Sequence, residues 1–195
     1  MREFVYFSRK AYTTGNFKDL MKAGRLDIAC HFVIHSFFIS NARRKNVILH
    51  LFFYGPPDPP KHIEIYSHAS ISKKDVADII RKALFKYKPG RKVEALPGVF
   101  IEKRSLLDFL QEKSKQKKIY LLDPKGENVK NIQLFEEAVF VIGDQKGLPL
   151  KEKNRIKKIA TQISLGKVVY FASQALIALQ YLLDNLNIKF KAKPN

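Results

Sequence analysis

The residues with the types and spacing to do chemistry fall into two sets. The first is VFVIGDQKGLPL, Val139 to Leu150, in which four apolar residues run into Gly143, Asp144 and a second glycine at 147. It reads as a buried strand stopping in a glycine loop. Glycine lets backbone approach a ligand closely, but it also makes ordinary turns. Taken alone, the stretch reads as a turn. The second set is Asp27, His31 and His35, which step by four and share one helical face. An acid and two imidazoles could face a metal, yet no cysteine or further histidine completes a ligand spacing, so no metal is expected. His50, His62 and His68 alternate with strand residues and are expected at solvent-facing or half-buried positions. No GxxxxGK[ST] or GxGxxG motif is present, which argues against a nucleoside triphosphate, and no GxSxG motif supports covalent catalysis. Cys30 is the only cysteine. It lies in an apolar helical run and reads as a small core residue rather than a nucleophile, and with no partner in the chain it gives no sign of an oxidising compartment.

Charge narrows the partners. Lys and Arg total 36 against 18 Asp and Glu, a formal net charge of +18, and an excess of that size draws polyanions, nucleic acid foremost. Basic clusters sit beside expected loops at 41–46 (NARRKN), 86–92 (KYKPGRK) and 112–118 (EKSKQKK). No signal peptide and no apolar stretch of membrane-spanning length is visible, so a cytoplasmic protein is expected. With 195 residues, 15 of them Phe, one domain over 1–195 with a sizeable core is expected.

These residues must be positioned by alternating strands and helices. REFVYFS (2–8) is β-rich. Leu26, Ala29, Cys30, Val33, Ile34, Phe37 and Phe38 have helical spacing in a segment that opens near Arg25. Strands follow at NVILHLFFYG and KHIEIYS, separated by PPDPP, which forces an extended turn. A helix KKDVADIIRKALFKYK is expected behind a capping box of Ser72 and Asp75. After a short strand GVFIE, Ser105 opens the helix SLLDFLQEKSK. Three strand–loop junctions come next: KIYLL into DPKGEN, AVFVIG into DQKG, and TQISL into GKVVYF. Helices are expected at about 150–158 and 168–185. Short apolar strands alternating with helices predict an α/β fold with a largely parallel sheet flanked by helices, and ligands in such sheets sit at the carboxyl ends of strands.

Together the junctions YLLDPKG (120–126), VIGDQKG (141–147) and ISLGKVVYFASQAL (163–176) resemble the cofactor loops of the SPOUT superfamily of RNA methyltransferases. The segments MREFVYFSRK, GRLDIACHFVIHSFFIS, RRKNVILHLFFYGPPDPP and LPGVFIEKRSL resemble the archaeal tRNA pseudouridine N1-methyltransferase group, so the likeness spans nearly the whole chain. It implies a C-terminal deep trefoil knot over about 118–185, S-adenosylmethionine as cofactor, tRNA as substrate at the T-loop pseudouridine 54, and a homodimer paired through the last helix. That helix carries Ala172, Ala175, Leu176, Leu179 and Leu183 on its apolar side. The nearest rivals are the ribosomal-RNA pseudouridine N1-methyltransferases and an RNA-binding relative without catalysis. Two departures from the family pattern stand out: Gln145 where Gly-Asp-His is common, and Phe171, Ser173 and Gln174 where relatives carry histidines.

The resemblance also implies roles for residues. Leu122, Gly143, Leu165, Gly166, Lys167, Val168, Val169, Tyr170 and Ala175 would form the cofactor site, mostly through backbone and apolar walls. Methyl transfer to N1 must remove its proton, which a nearby carboxylate could accept while a cation stabilises charge developing on the ring carbonyl. Asp27 and Arg25 in GRLD are the expected catalytic pair, with Asp144 as a second carboxylate. Arg43, Arg44, Lys45 and Arg104 are the expected RNA contacts.

Overall fold

The structure, a computed structural model, describes residues 1–144 and 147–189. Chain order is β1 (Arg2–Ser8), α1 (Leu26–Phe37), β2 (Val47–Phe53), β3 (Lys61–Tyr66), α2 (Val76–Phe85), β4 (Val93–Leu96) and β5 (Val99–Glu102). Then come α3 (Leu106–Lys113), β6 (Ile119–Asn128), β7 (Val139–Gly143), α4 (Leu150–Ile156), β8 (Thr161–Ser164) and α5 (Ala172–Lys189). The strands form one eight-stranded sheet in the order β4-β5-β3-β2-β1-β7-β6-β8. The expected parallel character holds only from β2 to β8. On the other side, β3, β5 and β4 continue the sheet antiparallel, with α2 between β3 and β4 and a tight turn between β4 and β5. The fold is therefore mixed α/β.

Alternation along the central strand assigns the two faces. In β1, Phe4 and Tyr6 join the larger core with residues of α1, α2 and α5. Val5 and Phe7 join the smaller core, where Phe109 of α3 and Ile156 of α4 pack. Every β1 and β2 residue is buried, as expected for strands covered on both faces. Gln180 of α5 donates to the Ser36 and His35 carbonyls and so fixes α5 against α1.

Several expectations change on this scaffold. β6 does not end before DPKGEN: Glu127 and Asn128 pair with Ile163 and Ser164 of β8 after a register shift. Gly126 permits this, because a Cβ there would lie 2.6 Å from the Ile163 nitrogen. β4, only four residues long, was not foreseen; its link to β5 turns at Gly98, φ +74°, whose N–H donates to Glu94. The Ser72 hydroxyl donates to the Asp75 carboxylate rather than capping, and α2 starts at Val76. Ser105 does cap α3, accepting from the Asp108 N–H. α5 starts at Ala172, so 167–171 is loop.

His50 and His62 are fully buried, not solvent-facing. His50 Nε2 lies 3.0 Å from Glu3, His50 Nδ1 lies 3.0 Å from His62 Nε2, and His62 Nδ1 lies 2.9 Å from Glu102. Because α3 covers this face, strand alternation points these side chains into protein instead of water. His68 is exposed. Among the described residues no group of three metal-ligating side chains forms, and no helix is long and apolar enough to cross a membrane.

Candidate active site

β1, β7, β6 and β8 are parallel, so Ser8, Gly143, Leu122 and Ser164 all lie toward one edge of the sheet. A cavity of about 450 Å³ opens there between the ends of β6, β7 and β8 and the start of α5. That volume lies within the roughly 300–1,000 Å³ of ordinary small-molecule sites. Eight of the nine residues expected at the cofactor site line it: Leu122, Gly143, Leu165, Gly166, Val168, Val169, Tyr170 and Ala175. Lys167 does not; it points to solvent from the same loop.

Glycines shape this cavity by what they leave out. A Cβ on Gly143 would come within 3.0 Å of the Gly147 Cα, so Gly147 lies close against the strand end. Gly166 adopts φ +117°, a region that side-chain-bearing residues rarely enter. The backbone is therefore open to a planar, hydrogen-bonding ligand edge, with apolar side chains around it.

Three polar features of the wall escaped the sequence reading. Asp123 is buried and paired with Lys153 at 2.9 Å. Burial would raise the Asp123 carboxyl, but the Lys153 hydrogen bond and charge hold it below its ordinary value. Gln174 accepts the Phe171 N–H, bracing the loop as α5 begins. The Ser164 hydroxyl bonds the Gly166 backbone. Asp123 opens a junction that the sequence did mark, whereas Lys153 lies a helix away and only folding brings it near. Gln145 lies outside the described residues.

Arg25 and Asp27 stand beside this cavity. Arg25 has φ +67° and ψ +44° and is the only non-glycine residue with positive φ among the described residues. Its Nε and Nη2 each donate to Asp27 at 3.0 Å. The hydrogen bond from Arg25 outweighs the opposing effect of burial and, with the Arg25 charge, lowers the Asp27 carboxyl from its usual range. A small crevice lies between Arg25, Gly24, Lys10, Tyr6, Ser8 and Asp144. Asp144 lines both this crevice and the large cavity, and it accepts the Arg9 N–H at 3.0 Å. The structure thus brings Arg25, Asp27 and Asp144 together at the mouth of the cavity.

The four expected RNA contacts are not brought together. Arg43 and Arg44 follow α1, at the amino ends of the parallel strands. The length of α1, about 18 Å at 1.5 Å per residue, separates them from Arg25. Arg43 lies over the Phe37 and Phe38 rings, and Arg44 is held by Asp184 at 2.7 Å. Lys45 is exposed. Arg104 lies at the cavity's end of the sheet, but β5 is four strand spacings from β7, about 19 Å. It pairs with Glu112 at 2.5 Å and covers the Phe109 ring.

A cavity at the carboxyl ends of parallel strands, built from glycine loops and apolar walls, marks a small-molecule site in an α/β enzyme, and comparison with known proteins gives the class. Residues 1–188 match the family of SAM-dependent RNA methyltransferases, and the chain belongs to that family. Its curated relatives include the tRNA (pseudouridine(54)-N(1))-methyltransferase of Thermococcus gammatolerans, 33% identical over 95% of this chain and 98% of the relative. The protein of the same name from Methanococcoides burtonii is 34% identical over 94% of this chain and 96% of the relative. Among solved structures, Archaeoglobus fulgidus Nep1 bound to S-adenosylhomocysteine superposes with a TM-score of 0.66 over 95% of this chain and 98% of that one. At 11% identity, that likeness speaks for the fold alone, a mixed α/β arrangement with a large sheet flanked by helices.

Proposed function

We propose that this chain transfers a methyl group from S-adenosylmethionine to N1 of pseudouridine 54 in the T-loop of tRNA. One observation carries the reading: Asp144 lies on both the glycine-loop cavity and the crevice that holds Arg25. A nucleobase presented at that point would have a carboxylate, a guanidinium and the cofactor cavity within reach. The full-length relatives of that activity support the choice of substrate.

The cavity fits the cofactor in size and chemistry. Gly143 and Gly166 leave backbone open to its adenine edge, Leu122, Leu165, Val168, Val169, Tyr170 and Ala175 form apolar walls, and Asp123 with Lys153 offers charge to its polar end. When bound, the cofactor supplies an electrophilic methyl on a sulfonium leaving group. The protein's own work is to align N1 and to remove its proton. Asp27 was expected as the base, but both its oxygens accept from Arg25 and its carboxyl is held low. A stronger acid makes a weaker base. In this proposal Asp144 accepts the N1 proton, Arg25 faces the charge growing on the adjacent ring carbonyl, and Asp27 holds Arg25 in place.

The same reading includes one SPOUT-like domain over 1–195, with the knotted part at about 118–185, and a cytoplasmic homodimer. The dimer argument shifts to the other side of α5. Ala172, Ala175, Leu176, Leu179 and Leu183 are all buried within this chain, so they are not the pairing surface. Ile177 and Tyr181 of α5 remain exposed, as do Val168, Val169 and Phe171 in the loop before it. An apolar strip of this kind marks an interaction site.

The test is methyl transfer from labelled cofactor into tRNA made with and without pseudouridine at the target. Label is expected only in the pseudouridine-containing tRNA. Equal labelling of tRNA with plain uridine would defeat the N1 assignment, because that position is then the glycosidic nitrogen.

A further inference from the structure

The basic residues nearest the cavity are not those that follow α1. The loop after β1, residues 9–25, leaves the carboxyl edge of the sheet and returns to it at Arg25. Arg9, Lys10, Lys18 and Lys22 in this loop are exposed, and Asp19 is its only acid. The segment 86–92 after α2 adds exposed Lys88 and Arg91 and contains no acid. None of these six cations forms an ion pair among the described residues, in contrast to Arg44 and Arg104.

Packing makes the two segments one surface. A Cβ on Gly15 would lie 2.6 Å from the Arg81 carbonyl and the Phe85 ring, and Arg81 stacks on Phe17. The loop therefore sits on the end of α2. Lys61, whose strand position pairs with Phe53 at the carboxyl end of β2, places its Nζ 3.8 Å over the Tyr87 ring. Between them, Asp58 is neutralised by Lys61 and Lys103, and its backbone N–H donates to the Thr13 hydroxyl oxygen. Arg9, at the other end of the loop, is tied to Asp144 through its N–H. A cationic face thus runs from the lip of the cavity, across the loop, to Arg91.

We propose that this face, formed by 9–25 and 86–92, holds the phosphate backbone of the tRNA while the target base enters beside Asp144. The inference rests on the tRNA methyltransferase reading and adds where the RNA lies. Exposed cations without an ion-pair partner are free to replace the counterions of a polyanion, while a guanidinium already paired must first give up its carboxylate. Proximity supplies the rest: backbone held here is next to the reacting groups, whereas backbone held at Arg43 and Lys45 is a helix length away.

The test compares two triple charge reversals of equal size in the full chain. One is Lys18→Glu with Lys22→Glu and Arg91→Glu. The other is Lys45→Glu with Lys73→Glu and Lys74→Glu at the amino edge. Binding of transcribed tRNA is measured by anisotropy across a potassium chloride series, and circular dichroism melting checks that both variants fold. Each phosphate contact contributes about 0.7–0.9 to the slope of log affinity against log salt. The first triple is expected to flatten the slope by about two to three units and weaken binding at least tenfold, with the thermal shift from S-adenosylmethionine retained. Equal losses in the two variants, or a larger loss in the second, would overturn the proposal. Wild type that binds tRNA through the first face yet methylates no pseudouridine would support the face and defeat the reaction, so the two readings fail separately.

Discussion

Replacing Gly24 with alanine tests whether the loop before Arg25 is held as closely as the structure indicates. The new Cβ would lie 1.7 Å from the Lys10 carbonyl oxygen and 2.3 Å from its carbon. Non-bonded atoms settle at about 3.5 Å, so the loop would have to move by well over 1 Å. Gly55 closes the other side, since a Cβ there would meet the same oxygen at 2.2 Å. Two costs add. The left-handed conformation, φ +72°, costs alanine about 1–2 kcal/mol, and overpacking costs about 1–3 kcal/mol more. Gly90 is the control, with φ +75° and nothing within 4 Å of a Cβ. Gly90→Ala carries only the first cost, so Gly24→Ala should be less stable by about 1–3 kcal/mol in urea denaturation. Because Arg25 follows directly, methyl transfer should also fall about 100-fold through misplacement in Gly24→Ala, with cofactor affinity retained. Equal stability of the two variants would show that Lys10 is not wedged between the glycines, and the account of how Arg25 is positioned would fail.

Three other outcomes are expected. Asp144→Asn should lower single-turnover methyl transfer by about 100-fold or more for loss of a general base, and raising the pH should not restore it. Asp27→Asn should lower it less, because Arg25 keeps its charge and loses only the carboxylate that holds it; the opposite ranking returns the base to Asp27. Acid should destabilise the fold ahead of any effect on the site. Burial would raise the Glu3 carboxyl, but the His50 hydrogen bond and then Lys113 and Lys117 hold it far below the carboxylate range, while burial lowers His62 to about 4. For both groups the unfolded chain binds more protons, so stability present at neutral pH is lost as pH falls: below about 6.5 for His62 and below about 4.5 for Glu3. The slope is about 1.4 kcal/mol per pH unit for each proton, and a urea midpoint unchanged from pH 7 to 4 would contradict it. Finally, if the proposed dimer forms through α5, Ile177→Glu with Tyr181→Glu should convert it to monomer by light scattering while leaving the melting transition cooperative. A monomeric wild type would rule the dimer out.

Local pattern was enough for much of this protein. The apolar runs 2–8, 47–53 and 139–143 became central strands because continuous hydrophobicity with β-branched and aromatic residues suits a sheet buried on both faces. The three strand–loop junctions marked the cavity through their resemblance to known cofactor loops; the glycine stretch alone reads as a turn, although the carboxyl edge is where such loops meet. The charge of +18 likewise marked a polyanion partner.

Three-dimensional arrangement decided what spacing could not carry. Strand alternation put His50 and His62 in solvent, and the cover provided by α3 put them in the core beside Glu3 and Glu102. The apolar side of α5 looked like a dimer surface and proved to be this chain's own core, because α1 already lies against it. Asp123 met Lys153, and Asp144 met Arg25, across separations that no local pattern records. Arg43 and Arg25 are near in sequence, yet the helix between them carries them to opposite edges of the sheet. Sequence fixes residue type and local geometry, whereas partners and edges follow from chain path, which only the packed sheet and helices define.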